Sequence, residues 1–201
     1  MRMPFVIARR RLFFRMLTSL ALAVALAGYA STGTPSASDV LAQPGHVLLM
    51  RHAHAPGVGD PEGMTLDDCS TQRNLDARGR RQASELGLRL KTAGVSDIRV
   101  YTSQWCRCRE TARLLNMGRV EDLPALNSFF EQPETRDAKL AALRAFLDRL
   151  PRDGRPVVLV THQVTVTALT GYFPASGDGL VLKLKEGGGF ERAAELSASE
   201  E

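Results

Sequence analysis

Four residues of this chain have the types and the setting for phosphoryl chemistry. Arg51 and His52 follow an apolar run at 46–50, Arg107 lies shortly after a second run at 98–102, and His162 follows a third at 156–161. An arginine fork binds two oxygens of a phosphoryl group and keeps its charge. A histidine that is largely neutral near pH 7 can attack phosphorus. A lone histidine would carry little weight, but the same placement after successive apolar runs carries more. Two arginines and two histidines brought together make an electropositive pocket that needs no metal.

The elements that must position these residues read as alternating strands and helices. Strand one covers about 46–50, and its short apolar run suits a buried strand. Residues 55–74 form a long aperiodic loop, which in a compact domain usually has a function. Ala83, Leu86 and Leu90 recur at helical spacing and predict a helix over 79–92. Strand two follows at 98–102, and Ser103 is placed to cap a second helix through Leu115. Residues 117–134 read as irregular. Leu140, Leu143, Leu147 and Leu150 predict a helix over 136–150. The all-apolar 156–161 suits a parallel strand covered on both faces, and a short helix runs from His162 to Gly171. Runs at 179–184 and 190–194 read as a closing hairpin or edge pair. The fold class expected is α/β, with polar groups gathered at the C-terminal ends of the strands, where open sheets bind ligands.

The net charge of +4 misleads about partners. Residues 1–30 hold five arginines and no acid, so the remainder carries 21 basic and 22 acidic side chains. The basic balance is no sign of a nucleic-acid partner, which would need a basic patch in the folded domain. The leader has a basic stretch at 1–15, an uncharged apolar stretch at 16–28, and small residues Gly28 and Ala30 before a cut after Ala30. This is the arrangement of a signal peptide. Arg10-Arg11-Leu12-Phe13-Phe14 also suits twin-arginine export. The expected division is a signal peptide at 1–30, a flexible linker at 31–44 and a catalytic domain at 45–201. The expected location is periplasmic or extracellular, without stable membrane insertion of the mature domain; an uncleaved anchor is the alternative. Export permits a disulfide. Cys69 is then expected to pair with Cys106 or Cys108.

Together, LLMRHAHA at 48–55, LDARGRRQASELG at 75–87, VYTSQWCRCRETARLL at 100–115 and VLVTHQVTVTALTG at 158–171 resemble the histidine phosphatase superfamily. The resemblance spans about 45–196. It implies the phosphoglycerate mutase-like fold: a three-layer α/β/α sandwich with a mostly parallel central sheet. It also implies a phosphate pocket of Arg51, His52, Arg107 and His162, with His52 transiently phosphorylated, Arg51 and Arg107 on the equatorial oxygens, and His162 donating to a phosphoryl oxygen. No cofactor or metal is implied.

The chain departs from the family pattern in three places. Ala53 stands where the family has glycine, and Gln163 stands where many members have glycine or aspartate. The Asp-Glu-Arg string that carries a donor glutamate is missing, which leaves Glu131 as the named candidate for proton donor, with Glu134, Asp60 and Glu62 as others. His54, Arg73, Asn74 and Gln163 are candidates for the substrate rim. The function expected is an exported phosphatase acting on a small phosphorylated substrate or a phosphoprotein. The alternatives are a non-catalytic phospholigand-binding protein and a zinc hydrolase using His52, His54, His162 and Asp60.

Overall fold

Six strands form one sheet, and its centre is built from the apolar runs within His46–Arg51, Val157–Thr161 and Gly179–Leu184. The computed structural model describes residues 35–198, together with Met1. In chain order the elements are α1 (Ala37–Leu41), β1 (His46–Arg51), α2 (Ala77–Thr92), β2 (Arg99–Thr102), α3 (Cys106–Leu115), β3 (Val120–Asp122), α4 (Arg136–Arg149), β4 (Val157–Thr161), α5 (Gln163–Thr170), β5 (Gly179–Leu184) and β6 (Phe190–Leu196). The strand order is β3-β2-β4-β1-β5-β6. The pairs β3-β2, β2-β4 and β4-β1 are parallel, and the expected closing pair, β5 and β6, adds antiparallel to β1 and to each other.

Alternation along β1 divides the core in two. Leu48 and Met50 face the layer of α1, α2 and α3, where Leu41, Leu86, Leu90 and Leu115 pack. Val47 and Leu49 face the layer of α4 and α5, where Leu143, Leu147, Val166 and Leu169 pack. Both sheet faces are therefore covered, as parallel strands with continuous apolar sequence require. The result is an α/β/α sandwich with a mostly parallel sheet.

Three local expectations change. The linker expected over 31–44 contains α1 in its described part: Ser36 and Asp39 form a reciprocal capping box, and Leu41 is fully buried against the core. The irregular stretch 117–134 contains β3, whose three residues are held by parallel pairing to β2 rather than by their own propensity. Finally, α3 starts at Cys106 rather than at Ser103. The expected signal peptide, residues 1–30, lies outside the described residues apart from Met1. Among the described residues no helix is long and apolar enough to cross a membrane.

Glycines set how closely the helices approach. A Cβ on Gly87 of α2 would collide with the Leu115 carbonyl at the end of α3. We expect Gly87→Ala to lose about 1–3 kcal/mol of stability through overpacking, read as a lower denaturation midpoint with an unchanged slope in urea unfolding.

Candidate active site

Strand register assembles the centre of the site. Arg51 on β1 pairs with Thr161 on β4, and Thr102 on β2 pairs with Val160. The next peptide groups continue the ladder: His52 N–H donates to Thr161 O at 2.9 Å, and Ser103 N–H donates to Val160 O at 2.9 Å. The three strands therefore end level, and His52, Ser103 and His162 emerge side by side. The His52 and His162 rings meet edge to face at 5.6 Å between centroids.

Helices α2 and α3 fix the turn after β1. The N-cap of α2, Asp76, accepts the Gly79 N–H and pairs with His54 Nδ1 at 3.1 Å. Gly79 itself must lack a side chain, because a Cβ would strike the His54 carbonyl. Gln82 accepts the His54 N–H at 3.0 Å. From α3, Thr111 accepts the Ala53 N–H at 3.1 Å. Ala53 is fully buried, and it takes no positive φ, so alanine fits where glycine would also fit.

His52 is 2 % exposed, and its Nδ1 donates to its neighbour's carbonyl, Ala53 O, at 2.7 Å. Because a carbonyl only accepts, the proton sits on Nδ1 and the Nε2 lone pair is left outward. Arg107 Nε–H donates to that Nε2 at 3.2 Å. Burial first, then the charge of Arg107, hold the His52 pKa well below the ordinary histidine value. His162 is pushed in the same direction by burial and by His52 and Arg107. Ser103 Oγ lies 2.8 Å from His162 Nε2 and donates to Asn127 Oδ1 at 3.3 Å, so it braces the ring rather than capping α3.

The start of α3 is capped from the long loop instead. Gln72 Oε1 accepts the Cys106 N–H at 2.9 Å, and a disulfide joins Cys69 to Cys106 with Cα atoms 5.7 Å apart. Cys108 is unpaired and buried, with Sγ 3.5 Å from His162 Nε2; burial pushes its thiol up to about 12, so it stays protonated. Arg107, one residue past the bridge, makes a bidentate pair with Asp60 at 2.7 and 3.0 Å. Burial works to raise the Asp60 pKa, but Arg107 and the N–H groups of Arg73 and Trp105 together hold it below the usual carboxylate value.

These groups line a cavity of about 500 Å³ that includes Arg51, His52, Arg73, Arg107, His162 and Gln163. Arg51 Nη1 donates to Pro174 O at 3.2 Å, while its buried Nε has no hydrogen bond among the described residues. A buried donor without a partner suits an anion. Glu131 is also in the wall, where Oε1 accepts the Asp60 N–H at 2.9 Å. The exposed lining combines the apolar Val58, Phe130 and Phe173 with the polar Glu131 and Gln132.

The structure thus brings Arg51, His52, Arg107, His162, Arg73, Gln163 and Glu131 to one cavity. It does not bring His54 or Asn74 there. His54 is turned to Asp76, and Asn74 Nδ2 donates to Cys69 O and Gln72 O. The proposed zinc set therefore does not converge, and among the described residues no group of three or more His, Cys, Asp or Glu could hold a metal ion. Arg109 points away from the cavity and pairs with Asp122 at 2.5 Å. Asn127 and Gln72 join the site with no local pattern to mark them, and Ser103, at the end of β2 as expected, braces His162 where a helix cap is expected; their partners lie 24 to 59 residues away.

Residues 47–132 match the histidine phosphatase superfamily, branch 1. Solved structures share the fold. The protein histidine phosphatase SixA complexed with tungstate is 22% identical, with a TM-score of 0.57, over 76% of this chain and 97% of that one. The phosphoserine phosphatase of Entamoeba histolytica, in complex with 3-phosphoglyceric acid, is 16% identical with a TM-score of 0.55 over 76% and 96%. A mycobacterial glucosyl-3-phosphoglycerate phosphatase is 16% identical with a TM-score of 0.55 over 74% and 97%. No curated protein sequence matches the chain. The likeness is at superfamily level and at low identity.

The disulfide closes a loop across 37 residues of sequence separation. We expect the double variant Cys69→Ser, Cys106→Ser to lose about 2–4 kcal/mol of unfolding free energy. Equilibrium unfolding against the oxidised parent checks this.

Proposed function

We propose that this chain is an exported histidine phosphatase that hydrolyses phosphate monoesters through a phosphohistidine on His52. The observation that carries the reading is the His52 ring. Its Nδ1 is committed to Ala53 O, and its Nε2 lone pair faces Arg107 inside the cavity. Nε2 attacks phosphorus, the bond to the leaving oxygen breaks, and that oxygen takes a proton. Water then attacks phosphorus and gives a proton back to the carboxylate that donated one, the N–P bond breaks, and His52 returns neutral. Arg51 and Arg107 offset the charge that develops on the equatorial oxygens. His162 donates to a phosphoryl oxygen, because a bound phosphate favours its protonated ring. Glu131 is the proton donor we assign to the leaving oxygen, since it lines the same cavity.

The exposed Val58, Phe130 and Phe173 in the cavity lining favour a substrate with an apolar portion beside its phosphate. Export rests on the leader's basic, apolar and small-residue zones. Mass measurement of the protein recovered outside the cytoplasm should give a chain beginning at Ser31; a chain that stays inside with its leader intact rejects export.

Hydrolysis of para-nitrophenyl phosphate should resist metal chelators, be blocked by vanadate, and fall about a thousandfold or more in His52→Ala. Unchanged turnover in that variant sinks the mechanism. Because His52 stays neutral well below its ordinary pKa, the active form persists as pH falls. Corrected for substrate ionisation, kcat/KM at pH 5.5 should stay within about twofold of its value at pH 7. A histidine of ordinary pKa would lose about eightfold.

A further inference from the structure

Asp60 is a charged group inside the cavity that the proposed chemistry does not use. Its side chain is 5% exposed. Oδ1 accepts from Arg107 Nη1 at 2.7 Å and from the Arg73 N–H at 3.0 Å. Oδ2 accepts from Arg107 Nη2 at 3.0 Å and from the Trp105 indole N–H at 3.0 Å. A carboxylate offers about four lone-pair sites, and each oxygen here already takes two donors. No site is left to take a proton from water, and the ionised group has none to give a leaving oxygen. Asp60 is therefore neither acid nor base in this arrangement.

Its effect falls on Arg107. A guanidinium has five N–H donors in a rigid plane. The end edge, one N–H each from Nη1 and Nη2, is taken by Asp60, and the other Nη1 proton goes to Arg73 O at 3.2 Å. What remains is the side edge, formed by Nε–H and the second Nη2 proton. Its Nε–H already lies on His52 Nε2, at 3.2 Å. Because the plane is rigid, pinning the end edge with two bonds fixes where the side edge points.

We propose that Asp60 is a positioning residue, which holds the end edge of Arg107 so that the side edge clamps the phosphoryl group carried by His52. On this assignment a phosphoryl oxygen takes the Nε–H now given to His52, and the second Nη2 proton completes a bidentate pair. The proposal rests on the phosphatase reading above. It opposes the other role that the ion pair could play, a built-in anion that competes with phosphate for Arg107.

The test uses the full chain with para-nitrophenyl phosphate as substrate and orthovanadate as inhibitor. Asp60→Asn keeps the shape but replaces acceptor sites with donors. It should lower kcat about 100-fold, weaken vanadate inhibition about tenfold, and move KM less than about threefold. Asp60→Glu should recover part of the loss. In an Arg107→Ala background, adding Asp60→Asn should change the residual kcat less than about twofold, because the residue acts through Arg107. Asp60→Asn overturns the proposal if it raises activity, tightens vanadate binding, or costs as much without Arg107 as with it. Near-UV circular dichroism reports whether the variants fold. If they do not, Trp105→Phe removes one of the four donors and leaves the carboxylate. It should give a smaller loss that also vanishes in Arg107→Ala, and a loss that persists there overturns the proposal. A parent protein that neither turns over substrate nor binds vanadate rejects the phosphatase reading itself, before any variant is compared.

Discussion

Three guanidinium groups share the wall of one cavity, and the surrounding fold has to contain their mutual repulsion. Burial and the charge of Arg107 both lower the pKa of Arg51, and the same two causes act on Arg73. The structure answers with one buried carboxylate, Asp60, and with backbone carbonyls on Arg73 and Arg107. The repulsion is also useful. The same charges, with burial, keep His52 and His162 neutral, so an imidazole lone pair persists where an exposed histidine would titrate. Containing the arginines and sparing the lone pair are two results of one arrangement.

The sheet makes that arrangement possible by ending β1, β2 and β4 at one level. The helices then hold the turn after β1 through its backbone and through the rings of His52 and His54. Asp76, Gly79 and Gln82 of the α2 motif all meet the main chain or ring of His54, and Thr111 of α3 meets the main chain of Ala53. The motif around Gly79 thus supports the turn that carries His52, without entering the cavity.

What could be read from the sequence follows from how local each cause is. Arg51, His52 and His162 were legible because apolar strand runs mark their own ends, and Arg107 because a helix must begin soon after β2. The strands and the major helices were legible from their periods. The exact start of α3 was not, because its cap is Gln72, 34 residues earlier. Nor was α1, whose Ser- and Pro-rich surroundings suggest a tether, although a capping box and one buried leucine hold it in place. The pair between Asp60 and Arg107 spans 47 residues and belongs to no pattern in either segment. His54 reads from the sequence as a rim residue, but its ring is turned to Asp76, which receives it.

The long loop between β1 and α2 has little secondary structure, yet it is tied down at nearly every stage. Asp60, Cys69, Gln72 and Arg73 each hold a partner outside their own stretch of chain or across the loop. Surface loops usually absorb insertions with little cost. This one has fixed spans between successive anchors, so a single added residue between Asp60 and Cys69 must bulge outward or pull one anchor from its partner. In its tolerance of length change the loop should behave like a strand in the sheet, and its apparent irregularity is no measure of its freedom.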